Sequence, residues 1–464
     1  MTYSLESFSL KKITNGITND QWKATGVSID TRTLKKGDLF CAIKGKNFDG
    51  HDFIKKAFEM GAVAALVNKN KKVLQNKSYL KVNNVLKAIE KIAINNRTKS
   101  KSKFIAVTGS VGKTGTKEML KMSLNKVAKV YVNEGSLNNH IGVPLTLCKL
   151  PDNTDYSVLE LGMNRLGEIE KLSRIVMPQV GIITAIENSH LSGLKTLRKI
   201  AQAKCELLSY LSRSGCFIFN NDTNFGDYLF EKAKSLNIKS IISYGKKQSS
   251  NIRLLEYKLF KDRYLIKAVA FGKEVNWQMP PVNEHWIHNS LSVLAVAIYY
   301  NLNLKKTLLG LKNFEVPHGR GNKIKGNFNG KDFTIINDSY NSSPASLSAS
   351  LLSLKRENPK GKKILLLGDM LELGKKSLKL HLNLKKNVIS SGVALLITKG
   401  KYMKELNDIL PSNIEKYHEE EEENIIKTIC KKISHDDLLL IKGSNSIGLG
   451  KIVTILKKIN HYDI

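Results

Sequence analysis

The segment Gly109-Ser110-Val111-Gly112-Lys113-Thr114-Gly115-Thr116 stands between an apolar run, Phe104-Ile105-Ala106-Val107-Thr108, and a helical pattern that continues through Val127. The run is short and β-rich, as a buried strand is, while Met119, Leu120, Met122, Ser123 and Val127 recur at helical spacing. A strand, a glycine loop and a helix are therefore expected. In such a loop successive backbone N–H groups point inward at a polyphosphate, and the N-terminus of the next helix adds its partial positive charge. Gly109, Gly112 and Gly115 let the backbone approach, with Ser110 and Val111 completing the cradle. Lys113 would reach the β and γ oxygens of ATP as a point charge, and the Thr114 hydroxyl would complete the coordination of Mg2+.

At 464 residues the chain is too long for one ordinary core, and about 150 residues per unit suggests three domains. The N-terminus lacks a signal-peptide layout, and the longest nearly uncharged apolar run, 291–304, is too short to span a membrane. A cytoplasmic protein without membrane insertion is expected. The cysteines, Cys41, Cys148, Cys205, Cys216 and Cys430, show neither metal-ligand spacing nor an even count, so buried, reduced thiols are expected. A net charge of +33 raises nucleic acid as a partner. The excess is mostly dispersed Lys, however, and aromatic content is only 7%, whereas nucleic-acid readers use clustered Arg and aromatic platforms. No nucleic-acid partner is expected.

A polar stretch at 95–103 has linker composition and sets the first boundary. Before it, strand-like runs at 38–43 and 64–67 flank a helical pattern at 52–60, which describes a small α/β unit over 1–102. From 103 to 316, strands at 156–161, 180–185, 216–220 and 240–244 alternate with helices, which implies a mostly parallel sheet covered on both faces. Residues 251–278 alternate in period two, as antiparallel hairpins do, and a buried helix is expected near 285–300. A third α/β unit, 317–464, repeats the rhythm with strands at 333–337, 363–367, 394–398 and 438–441. The acidic run 419–423 precedes a helical pattern and reads as a solvated helix start.

A phosphate loop alone suits a kinase, a GTPase, a motor or a ligase. No Asn-Lys-x-Asp guanine signature occurs. Glu160 closes a central strand at the carboxyl edge, where open α/β sheets bind ligands, and could hold Mg2+; His190 follows the strand at 180–185 at a comparable edge position.

These features, with others along nearly the whole chain, resemble the Mur ligases of bacterial cell-wall synthesis. Ser28-Ile29-Asp30-Thr31-Arg32, Gly37-Asp38-Leu39-Phe40 and Gly50-His51-Asp52-Phe53 look like the uridine-nucleotide-binding first domain. The phosphate loop, Leu137-Asn138-Asn139-His140-Ile141-Gly142-Val143-Pro144 and Ala203-Lys204-Cys205-Glu206 are similar to the central domain. Asp338-Ser339-Tyr340-Asn341-Ser342-Ser343-Pro344, Gly368-Asp369-Met370-Leu371-Glu372-Leu373-Gly374 and Lys442-Gly443-Ser444 resemble the third, a Rossmann-like α/β domain. The Gly-Asp-Met-Leu-Glu-Leu-Gly string points to the last ligase of the series, and the Asp-Asn-Pro-Arg string of the preceding step is absent.

The resemblance implies that ATP phosphorylates the terminal carboxylate of a UDP-MurNAc-tripeptide, and that the amine of D-alanyl-D-alanine then attacks the acyl phosphate. A carboxylate is a poor electrophile, so this activation is chemically required. Two anions meet in the first step, and Lys113 and Mg2+ would shield them. Thr114, Glu160 and His190 are implied metal ligands, with a second Mg2+ expected from the family. Lys204 is expected to carry a carbamate, with a salt bridge to a nearby acid as the alternative. Asn289, Arg320, Asp338 and Asn341 match nucleotide contacts; Ser28, Thr31 and Arg32 fall on the uridine side, and Asn138, Asn139 and Tyr340 on the muramoyl-peptide side. Lys113, His190, Lys204 and Arg320 are the expected catalytic set, in a monomer.

Three positions depart from the family pattern. Asn337 stands where an aspartate often precedes Asp338, Asn445 where an arginine often follows Ser444, and Lys375 where an acid follows Gly374. Folylpolyglutamate synthase is the rival within ligases, but it lacks a uridine-binding first domain; a basic ATP-driven nucleic-acid protein is the rival from another class.

Overall fold

The computed structural model describes residues 5–45, 47–72, 74–188 and 191–458. Three main β-sheets follow one another along the chain, joined by helices that cover their faces, which is the mixed, mostly parallel α/β architecture the alternating pattern predicts. The first sheet has five strands, in the order Ile17–Thr18, Tyr79–Val82, Ala64–Asn68, Asp38–Cys41, Gly26–Ser28, parallel except for the first. Its last helix, Val85–Lys99, extends through most of the polar stretch read as a linker. Composition misled there because Ile89, Ile92 and Ala93 form a buried stripe that carries the polar residues on the other faces.

The central sheet has nine strands, and the strand Lys103–Thr108 lies between Val180–Ile183 and Tyr156–Glu160, parallel to both. Phe104, Ile105, Ala106 and Val107 are all buried, as a strand covered on both faces must be. In register, Val107 faces Glu160 and Thr108 faces Ile183, so all three strands end at the same sheet edge. The strands Ile252–Phe260, Arg263–Ala270 and Lys273–Met279 extend the far side as the antiparallel hairpins that period-two alternation predicts. The helix Lys113–Leu124 ends one turn short of the sequence pattern and packs against the helix Glu284–Tyr299 in one core with Ile287, Leu291 and Leu294.

The third sheet runs Asn322–Phe328, Lys331–Asp338, Leu438–Lys442, Lys363–Gly368, Leu395–Lys399, Glu415–His418, antiparallel only at its first pair. It meets the central unit through the helix Pro344–Arg356: Ser353 Oγ donates to Asn283 Oδ1 at 2.7 Å, and Arg356 lies 3.9 Å from Glu284. All five cysteines are free and buried, as expected. No helix among the described residues is long and apolar enough to cross a membrane.

Candidate active site

The carboxyl edge of the central sheet opens into a cavity of about 740 Å3 whose opposite wall comes from the third sheet. Its floor is the phosphate loop. Gly112 has φ +86°, a conformation that favours glycine, and a Cβ there would stand 2.8 Å from Asn289 Nδ2. At Gly115 a Cβ would fall 1.6 Å from the Trp286 ring, so the loop helix can sit against the helix Glu284–Tyr299 only with glycine at that position. Ser110 pins the loop to the neighbouring strand end: its Oγ donates to the Glu187 carbonyl and accepts from the Glu187 N–H, both at 3.0 Å.

Lys113 Nζ folds back over the loop, donating to the Gly109 carbonyl at 2.8 Å and the Ser110 carbonyl at 3.4 Å. Burial holds this ammonium below the usual lysine range; Glu160 opposes that shift and Arg320 reinforces it. An anion arriving at the loop would therefore meet a cation poor in counter-charge. Glu160 is buried, and both carboxylate oxygens have donors: Thr114 Oγ1 to Oε2 at 2.7 Å and Asn138 Nδ2 to Oε1 at 2.6 Å. A carboxylate and a hydroxyl in contact form the hard oxygen set that Mg2+ prefers. Among the described residues no cluster of three or more His, Cys, Asp or Glu stands ready for a metal.

Lys204 is buried at the cavity wall. Burial first, and then the nearby Lys113, push its ammonium well below the usual range, and among the described residues no carboxylate pairs with it.

The third sheet contributes a second cluster. Asp338 and Lys442 are register neighbours at the ends of adjacent parallel strands, and Lys442 Nζ donates to Asp338 Oδ2 at 2.7 Å and to the Asn341 carbonyl at 3.1 Å. Ser350 Oγ gives Asp338 Oδ2 another bond at 2.6 Å. The Arg320 guanidinium lies 4.2 Å from the centre of the Tyr340 ring, stacked where it can swing toward an anion. The cavity therefore holds cationic side chains from both units, Lys113 from the phosphate loop and Arg320 from the side of the third sheet, with Glu160 and Asp338 among its lining carboxylates.

Comparison with known proteins now decides the family. Three family models match in succession: "Mur ligase family, catalytic domain" over residues 23–105, "Mur ligase middle domain" over 107–297 and "Mur ligase, glutamate ligase domain" over 319–445. The UDP-N-acetylmuramoyl-tripeptide--D-alanyl-D-alanine ligase of Rickettsia prowazekii is 35% identical over 427 residues, covering 92% of this chain and 94% of that one. The Bacillus subtilis enzyme of the same name is 32% identical over 446 residues, covering 94% of each. The chain belongs to the Mur ligase family. A crystal structure of MurF from Acinetobacter baumannii superposes with a TM-score of 0.85 at 26% identity, covering 98% of this Mur ligase and 99% of that chain. MurF ligase from Thermotoga maritima, solved in complex with ADP, shares the fold with a TM-score of 0.76 at 23% identity, covering 93% and 97%.

Of the residues singled out in the sequence of this Mur ligase, Ser110, Val111, Gly112, Lys113, Asn138, Asn139, Glu160, Lys204, Arg320, Asp338, Tyr340 and Asn341 line the one cavity. Gly109, Thr114, Gly115 and Asn289 support it from behind through the contacts above. Asn139 lines the wall while its Oδ1 accepts from the Ile141 and Gly142 N–H groups, so it also holds the turn that leads into the helix Gly142–Cys148. Ser28, Thr31 and Arg32 do not line the cavity; Ser28 Oγ is bonded to Asp30, and Arg32 is forked onto the Asp30 carboxylate at 2.6–3.1 Å. His190 lies outside the described residues.

The Gly-Asp-Met-Leu-Glu-Leu-Gly string, the most discriminating in the sequence, is architectural at its aspartate. Asp369 accepts from the Met403 N–H at 2.8 Å and the Tyr402 N–H at 3.3 Å at the start of the helix Lys401–Asp408. Of the departures, Asn337 is fully buried and holds Ser339 through its Oδ1, while Asn445 is exposed beside the cleft strand. Among the cavity residues that the sequence reading did not assign to the site are His285 and Lys442. His285 lines the cavity at the start of the helix Glu284–Tyr299, with its side chain open to the cleft; the protein packed around it pushes the imidazole down, against the pull of Asp338. Lys442, read only as part of a motif, is the cation that neutralises Asp338.

Proposed function

We propose that this chain is the ATP-dependent ligase that joins D-alanyl-D-alanine to UDP-MurNAc-tripeptide, yielding the pentapeptide precursor of peptidoglycan with ADP and phosphate. The carrying observation is the cavity itself, which faces a phosphate loop and Lys113 on one wall with Arg320 and the Asp338–Lys442 pair on the other. The named relatives and the near-complete coverage of both chains support the same step.

In this reading ATP lies on the loop with its γ-phosphoryl toward Glu160, and the tripeptide carboxylate enters past Asn138 and Asn139. Lys113 draws charge from the transferring phosphoryl group, and Arg320 leaves the Tyr340 ring to meet it from the other wall. Thr114 and Glu160 would hold Mg2+, with His190 as the further ligand; the ion supplies charge neutralisation to the phosphates. Lys204 takes up carbon dioxide as a carbamate. That reaction needs a neutral amine, and the downward shift of Lys204 is in the direction that favours that form. The amine of D-alanyl-D-alanine then attacks the acyl phosphate from the side of the third sheet, and closure of the cleft excludes water that would hydrolyse it. Residues 1–102 serve the UDP moiety, 103–316 the ATP and 317–464 the incoming dipeptide. The enzyme works as a cytoplasmic monomer in this reading, in the compartment where ATP and UDP-linked precursors occur. Turnover that requires both D-alanyl-D-alanine and the UDP-linked tripeptide tests the reading; turnover with a different amine acceptor would move the step.

A further inference from the structure

The helix after the phosphate loop carries a second lysine whose surroundings differ from those of Lys113. The Lys117 side chain is fully buried; its Nζ donates to the Asn133 carbonyl at 2.6 Å and the Gly135 carbonyl at 2.9 Å, with Glu118 Oε1 at 3.0 Å. A buried ammonium persists only where acceptors take up its protons, and here two belong to a single loop, the one after the edge strand Val130–Val132.

Asn133, also fully buried, passes that grip on. Its Oδ1 accepts from the Glu160 N–H at 2.9 Å, and its Nδ2 donates to the carbonyls of Leu137 at 2.9 Å and Glu160 at 3.3 Å. Leu137 precedes Asn138, whose amide holds Glu160 Oε1, while Thr114, three residues before Lys117 on the same helix, holds Oε2. The contacts close a ring from helix to loop to carboxylate and back to helix.

We propose that Lys117 is a positioning residue for the ligase reaction: by gripping the loop at Asn133 and Gly135 it sets, through Asn133, where Glu160 and Asn138 stand relative to the phosphate loop. Naming the reaction rests on the function proposed above; the ring of contacts does not. Oxygen ligands of a small hard cation must hold their spacing within a few tenths of an ångström, and the Asn133 side chain alone ties both the N–H and the carbonyl of Glu160 in place.

The test uses Lys117→Met, Asn133→Ala and the double variant of the full chain, with circular dichroism as the folding control. ADP binding is measured by calorimetry with and without Mg2+, and kcat and KM for ATP in the ligase assay. Without Mg2+ each variant should bind ADP within about threefold of the wild type. The gain in ADP affinity on adding Mg2+ should fall at least about fivefold, and kcat at least about tenfold, with KM for ATP little changed. Because both residues act on one chain of contacts, the double variant should be no worse than the worse single. A wild-type Mg2+ gain and kcat in Lys117→Met, losses that multiply in the double variant, or a wild-type ADP affinity indifferent to Mg2+ would each overturn the proposal. Should Lys117→Met fail to fold, Asn133→Ala carries the same readouts. If the chain does not join D-alanyl-D-alanine at all, the calorimetry still decides the role of Lys117, so the two failures are separable.

Discussion

Replacing Lys442 with Met removes the ammonium that neutralises Asp338 while keeping an unbranched side chain of similar length. Lys442 is 2% exposed and Asp338 17% exposed, so among the described residues the carboxylate left behind would keep the Ser350 hydroxyl and limited contact with water. Breaking a buried pair in this way costs about 3–5 kcal/mol, and the partial exposure of Asp338 puts the expected loss near the lower end, about 3 kcal/mol. The tryptophans, at 22, 277 and 286, all lie outside the third sheet, and Trp286 lines the shared cavity, so intrinsic fluorescence would not isolate the change. Hydrogen exchange of peptides covering Lys331–Asp338 and Leu438–Lys442 would. At 1.36 kcal/mol per decade, exchange there should speed up roughly a hundredfold, with the first sheet unchanged. Adding Asp338→Asn removes the stranded charge and should restore most of the protection without restoring turnover. Exchange in Lys442→Met within about threefold of the wild type would refute the claim that this pair holds the two cleft strands together.

Lys113→Ala should reduce kcat by about 100-fold or more, the size expected for loss of one preorganised charge on a transferring group, with secondary structure unchanged by circular dichroism; near-wild-type turnover would overturn the loop assignment. His285, crowded by the cleft walls though open to the cavity, should show an NMR titration midpoint below that of an ordinary histidine. Because its folded value lies below its unfolded value, its contribution to stability is complete above about pH 6.5 and is lost as pH falls below that, and a midpoint at or above about 6.5 would contradict the downward shift. For Lys204, protein equilibrated with 13C-bicarbonate should give a carbamate carbon resonance that Lys204→Ala lacks; a bare amine at saturating bicarbonate would remove the carbamate from the account.

Features that depend on neighbours in sequence were legible before the fold was known. The strand, glycine loop and helix around Lys113 are contiguous, and the period-two pattern of 251–278 marks its own hairpins. Partners separated along the chain were less so. Asp338 and Lys442 are 104 residues apart and meet only because their strands are adjacent and in register. Nothing local marks Asn133, whose importance arises from clasping a strand end 27 residues away. Asp369 shows the opposite limit: its motif was read correctly as a family mark, yet its side chain caps a helix. The polar stretch at 95–99 hid a helix because one buried stripe suffices to fix it.

The most direct test is phosphate release from ATP and Mg2+, with UDP-MurNAc-tripeptide and D-alanyl-D-alanine added singly and then together. Release that requires both, with the UDP-linked pentapeptide appearing in equal amount, is the predicted result. Release with neither substrate, or none with both, would contradict the ligase assignment.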